Sequence, residues 1–98
     1  MGTFCSVIVP VKFDDRVYKT VILIERLLEK NDISHEIIVS GKLDYPEKLP
    51  EYAAFISESG RKGENILSGL RASSGEYVVI IDADLPVKAG ELLRLIMS

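Results

Sequence analysis

With 98 residues, the chain suits one domain with a single modest core and is short for an enzyme that must hold two substrates. Apolar residues make up 47% and charged residues 28%, the balance of a folded globular protein, which excludes a disordered chain. The net charge of -3, with acids and bases interspersed, leaves no basic stripe to track a phosphate backbone and excludes nucleic acid as a partner.

The pattern then reads in order. Cys5-Ser6-Val7-Ile8-Val9-Pro10-Val11 is a nearly unbroken run rich in β-branched residues, which predicts a central strand buried on both faces of a parallel sheet. Asp14 or Asp15 is positioned to cap a helix whose apolar face is Val17, Val21, Ile24 and Leu28, ending near Lys30-Asn31-Asp32. Glu36-Ile37-Ile38-Val39 predicts a second strand, stopped by Ser40-Gly41. Leu43 to Pro50 holds two prolines and mixed charges, so it reads as a loop or a single helical turn. Ala53 to Ile56 is a third strand. Gly60 to Gly63 opens a helix carrying Ile66, Leu67, Leu70 and Ala72, closed at Ser73-Ser74-Gly75. Tyr77 to Ile81 has the strongest strand pattern in the chain and runs directly into Asp82-Ala83-Asp84. A last amphipathic helix is predicted from Ala89 to Met97.

Alternating strands and helices predict a three-layer α/β/α arrangement with a mostly parallel sheet of about four strands. Ligands of such sheets bind outside the carboxyl ends of the strands, which directs attention to Lys12 to Asp15, Ser40 to Asp44 and Asp82 to Asp84. Asp82 and Asp84 stand at alternate positions past a strand, so both can face one crevice. Their mutual repulsion is relieved by a cation, and oxygen ligands of this hardness suit Mg2+ or Mn2+. The bland alternative is a pair of exposed loop acids, and the tripeptide alone favours it.

Other candidates are weaker. His35 reads as a surface histidine with no partner acid at a recognisable spacing. Asp14-Asp15 reads as a helix cap, and Gly60 to Gly63 lacks the spacing and the Lys-Ser/Thr ending of a phosphate loop. One cysteine and one histidine offer neither a disulfide nor a Cys/His zinc cluster. A reducing, cytoplasmic location is expected, since Val7 to Val11 is too short to span a bilayer and has no positively charged lead-in. Met1-Gly2 with Ser6 matches the permissive pattern for N-myristoylation, with Cys5 as a second acylation site, but a chance match at the start of a strand is the preferred reading.

The whole pattern resembles the family 2 inverting glycosyltransferases of the GT-A fold. Ser6 to Val11 is similar to their first strand and Glu36 to Val39 to their second. Lys62-Gly63, Gly69-Leu70, Ala72, Gly75 to Val79 and Asp82-Ala83-Asp84-Leu85 look like the segment preceding the metal site in polyprenyl-phosphate mannose and glucose transferases. The resemblance implies a Rossmann-like nucleotide-sugar-binding half spanning residues 1-98. Pro10 and Val11 would lie beside the base and ribose, Asp14 would continue that pocket, and Lys62 would approach the diphosphate. Asp82 would reach the ribose or a metal-bound water, and Asp84 would ligate Mg2+ or Mn2+ directly. The implied donor is linked to UDP or GDP, and the acceptor is a lipid phosphate or another hydroxyl, which adds attachment at a membrane surface as a variant of the cytoplasmic location.

Two departures accompany it. Ser40-Gly41-Lys42 stands where the family commonly has acids for the nucleoside, with Asp44 a substitute only if its loop reaches back. Ser98 falls within the helix after the metal motif, so the acceptor half and the general base are expected to be absent from this sequence, leaving it inactive alone and prone to homo-oligomerise through Tyr77 to Ile81 and the last helix. The alternative is a non-catalytic module that keeps the fold and binds nucleotide.

Overall fold

The computed structural model describes residues 4–84. The helix expected from Ala89 to Met97 lies outside them. The elements are β1 (Cys5–Lys12), α1 (Val17–Lys30), β2 (His35–Lys42), a short 3-10 turn (Pro46–Lys48), β3 (Ala53–Ser57), α2 (Lys62–Ala72) and β4 (Tyr77–Ile80). The strands form one sheet in the order β3-β2-β1-β4, with every neighbouring pair parallel. Among the described residues, no helix is long and apolar enough to cross a membrane.

Two-residue alternation sends β1 to both faces of the sheet. Cys5, Val7, Val9 and Val11 join Ile37 and Val39 of β2 against Val17, Val21, Ile24, Leu27 and Leu28 of α1, and all of them are buried. Ser6 and Ile8 face the other way, towards α2. Helix and strand approach so closely there that a Cβ on Gly69 would stand 2.5 Å from Cγ2 of Ile8.

That proximity changes which face of α2 is inside. The apolar positions Ile66, Leu67, Leu70 and Ala72 predict the buried stripe, but the buried residues are Asn65 and Gly69, while Leu67 and Leu70 are 46% and 41% exposed. Asn65 and Gly69 are one helical turn apart and share a face, whereas Leu67 points to the opposite side. The small residue and the hydrogen-bonding residue take the close contact because a leucine would hold the helix away.

Two strand expectations also shift. β2 does not stop at Ser40-Gly41 but continues to Lys42, in register with the end of β1. Gly41 has φ +144°, and a Cβ there would lie 1.8 Å from the carbonyl oxygen of Val11, so glycine is what lets the two strands pair to their ends. Among the described residues β4 is an edge strand, with Tyr77, Val78 and Ile80 exposed and Val79 packed against the core. His35 begins β2 rather than lying in a surface turn, with its side chain only 6% exposed and bonded to Glu25. Burial disfavours its imidazolium, but the contacts with Glu25 and Ile33 and the charge of Glu29 hold its pKa above the ordinary histidine value.

At the amino edge of the sheet a polar node ties the α2–β4 connection to the central strands. Glu36 accepts hydrogen bonds from the Ser6 hydroxyl and from the backbone N–H of Ser74 at 2.6 Å, and Gly75 N–H donates to Ser6 Oγ at 2.8 Å. Partial burial opposes the carboxylate charge, yet these donors outweigh it and lower the Glu36 pKa.

Because the folded pKa of Glu36 lies below the unfolded value, its contribution is complete above pH about 4.3 and is lost as the pH falls through the lower folded value. Glu36→Gln is therefore expected to destabilise the fold by about 1 to 3 kcal/mol at pH 7, with the gap from the parent closing in acid, as read by denaturant titrations at pH 7 and pH 3. Gly41→Ala is expected to remove about 3 kcal/mol and to lower Tm by more than about 10 °C in a thermal melt.

Candidate functional site

The chain lays β2 and β3 on one side of β1 and then returns to place β4 on the other, so strand order reverses between β1 and β4. A crevice opens beyond the carboxyl ends of these two neighbours.

Past β4 burial still alternates from residue to residue into a turn at 83–84. Ile81 N–H donates to Ile8 O at 2.9 Å, Ile81 and Ala83 turn into the core, and Asp82 and Asp84 turn outward with half-exposed side chains. The Thr20 hydroxyl of α1 donates to the carbonyl of Ala83 at 2.7 Å in a buried contact, fixing the backbone between the two aspartates. Sequence reasoning passes over Thr20. Its signal was a hydroxyl on the apolar stripe of α1, between Val17 and Ile24, where a buried donor needs an acceptor.

The other wall is set by Asn65, which is 1% exposed. Its Nδ2 donates to Val11 O at 3.4 Å and its Oδ1 accepts from Gly60 N–H at 3.3 Å, so the start of α2 is tied to the end of β1. Lys62, in the first turn of α2, is thereby brought over the crevice. From β1 the chain turns through Phe13, at φ +51°, whose N–H bonds Lys42 O at 2.8 Å. Asp14 follows. It does not cap α1 as expected: Arg16 occupies the cap position with no side-chain cap, and Asp14 instead accepts from the Arg16 backbone at 3.1 Å and from its guanidinium at 2.9 and 2.8 Å. The guanidinium holds the Asp14 carboxyl below its ordinary pKa.

Pro10, Val11, Asp14, Lys62, Asp82 and Asp84 all line one cleft of about 280 Å3, together with Lys12 and Ala83. An adjoining recess of about 170 Å3 adds Gly60 and Asn65. Lys12 was within reach of the rule that ligand groups follow strands, but nothing in the sequence gave it a role. Arg16 was missed because its position depends on the turn through Asp14. The stretch after β2 stands apart. Ser40 is buried, with no partner for its hydroxyl among the described residues, and Lys42 lines a separate recess with Phe13, Leu43, Pro46, Phe55 and Ser57. Asp44 lines neither cavity.

Each acid of the cleft meets a cation. Lys62 Nζ lies 3.0 Å from Asp82, and Arg16 lies 2.8 Å from Asp14 and 3.9 Å from Asp84. These pairs are largely exposed, where an ion pair contributes between nothing and about 1 kcal/mol, so they can exchange partners at small cost. Asp82 and Asp84 offer carboxylate oxygens, the ligand type that Mg2+ or Mn2+ would take. Among the described residues they gather no third carboxylate or histidine; the one such group of three lies elsewhere, at Glu25, Glu29 and His35.

No protein family, curated protein or solved structure matches the chain. The fold and the cleft define a parallel α/β domain with a charge-paired site at its strand-order reversal.

Thr20→Val keeps the shape of the side chain and removes the bond to Ala83. It is expected to lower stability by about 1 to 3 kcal/mol and to speed amide exchange from Ile81 to Asp84 selectively, as measured by hydrogen exchange.

Proposed function

We propose that the cleft binds a nucleotide-sugar, linked to UDP or GDP, together with Mg2+ or Mn2+, as the donor site of a family 2-like inverting glycosyltransferase. The observation that carries the reading is the convergence of Pro10, Val11, Asp14, Lys62, Asp82 and Asp84, drawn from three separate stretches of sequence, on one cleft.

The chemistry follows from the exchange of partners. A diphosphate with a divalent ion carries both charges that the cleft's own groups now give one another. Lys62 and Lys12 would turn to phosphate oxygens through charge-assisted hydrogen bonds. Asp84, assisted by Asp82, would hold the ion, and Arg16 would remain on Asp14. When bound, the ion stabilises the departing nucleoside diphosphate as its bond to the sugar breaks. Pro10 and Val11 line the cleft where the ribose and base would lie. With no acid following β2 in the cleft, nucleoside affinity is expected in the high-micromolar range or weaker. Transfer would be to a lipid phosphate or another hydroxyl, in a cytoplasmic setting suited to the buried, unpaired Cys5.

One observation favours a second reading, a non-catalytic nucleotide-binding module. Asp14, Asp82 and Asp84 are all paired with cations, so the described part of the cleft holds no acid poised as a general base.

Calorimetric titration with UDP and GDP in Mn2+ tests the shared core of both readings. Asp84→Asn is expected to weaken nucleotide binding about tenfold or more, a loss of roughly 1.4 kcal/mol, with the fold intact because the side chain lies outside the core. Equal binding by Asp84→Asn and the parent, or equal binding by the parent in chelator, would remove the metal-assisted site. Sugar release from a UDP- or GDP-sugar in Mn2+ would separate the enzyme from the module.

A further inference from the structure

At the opposite edge of the sheet, away from the cleft, the end of α1 and the start of β2 enclose a cavity of about 340 Å3 lined by Glu25, Glu29, Ile33, His35 and Tyr52, among others. Glu25 and Glu29 are one turn apart on α1, so their carboxylates share a face. The arrangement is electrostatically unfavourable in two respects. Like charges at this spacing repel, and both sit near the carboxyl end of a helix, where the backbone dipole already presents negative charge. Among the described residues, neither has a lysine or arginine as an ion-pair partner.

What faces them is an imidazole of fixed orientation. His35 Nδ1 lies 2.7 Å from the carbonyl oxygen of Ile33, which can only accept, so Nδ1 carries a hydrogen. Nε2 lies 2.6 Å from Oε2 of Glu25, and because a carboxylate only accepts, Nε2 donates its hydrogen there. A backbone carbonyl that fixes the tautomer while the other nitrogen faces oxygen donors is the support that metal-bound histidines require. One ligand atom from each of the three residues lies within 4.8 Å of the others. A tetrahedral ion with bonds near 2.0 to 2.1 Å needs its ligands about 3.3 Å apart, so small rotations of two glutamates that are not fully buried complete the geometry.

We propose that His35 Nε2, Glu25 and Glu29 form a binding site for a divalent transition-metal ion of the zinc type, with a fourth position open to water from the cavity. One imidazole with two carboxylates suits such an ion better than Mg2+ or Ca2+, which prefer oxygen alone. The ion takes the place of the proton that Nε2 shares with Glu25, which is released to solvent, and it neutralises the acids at the helix end. It ties the last turn of α1 to the first residue of β2 across the Asn31 to Ser34 turn. This site goes beyond the donor site and does not depend on it.

His35 is the one histidine of the chain, so its imidazole gives a single set of nitrogen signals. Zn2+ titrated into the full chain is expected to shift the Nε2 resonance while the Nδ1–H signal persists. It is also expected to raise Tm by roughly 5 °C or more at a hundredfold excess over Kd. Calorimetry should show Glu25→Gln and Glu29→Gln each weakening Zn2+ binding about tenfold or more, since even outer-shell partners of a metal site contribute that much. Asp84→Asn should bind Zn2+ at this site as the parent does. Glu29 is exposed, so its variant keeps the test valid if changes at the more buried residues impair folding. Zn2+ binding that leaves the His35 signals unmoved, a Glu29→Gln variant that binds as tightly as the parent, or a Kd weaker than about 1 mM would each overturn the proposal.

Discussion

β1 is buried on both faces, paired along the whole of one edge and half of the other, and the positions of the other elements follow from it. Its hydrogen bonds run to β2 along its whole length and to β4 over its first half, while α1 covers one face and α2 the other. A strand so enclosed must have every backbone group paired and no side chain larger than its space, because an unmet polar group or an overlap in the centre cannot be relieved by water. Gly41 and Gly69 meet this constraint by lacking a side chain, and Ser6 and Asn65 meet it by returning hydrogen bonds to neighbouring segments. β4 pairs with β1 only from Cys5 to Ile8, which frees the second half of β1 on that side to form a cleft wall with Asp82 and Asp84.

Buried polar side chains do much of the positioning around this strand. Thr20 fixes the backbone of the aspartate turn, Asn65 sets the start of α2, and Ser6 with Glu36 secures the connection into β4. Each joins segments far apart in sequence. Apolar packing is tolerant of small shifts, whereas a hydrogen bond specifies distance and direction, so these few residues set the geometry of the cleft more sharply than the aliphatic core does.

The cleft and the cavity at the far edge handle charge differently. In the cleft, acids and bases alternate and are exposed, so the charges are balanced by weak pairs that a charged ligand can replace. Beside His35, acids accumulate at a helix end with a single imidazole to offset them. Balanced pairs favour a ligand bearing both signs, while uncompensated acid favours a cation alone.

Much of this was legible in the sequence because parallel strands buried on both faces write long aliphatic runs, and because ligand groups of such sheets collect where strands end. That was enough to give the order of the elements, the centrality of β1, and six residues that meet in one cleft. Three things were decided only by tertiary structure. Leu67 and Leu70 satisfy the helical pattern yet face outward, because Gly69 lets α2 approach β1 on a different stripe. Arg16 reaches Asp84 only through the turn at Phe13 and Asp14. Glu25 and His35 meet only because α1 turns back into β2 after Asn31. Period and composition are local properties of the chain and can be read from it; which face touches which, and which charge meets which, depends on contacts between distant segments that no local pattern encodes.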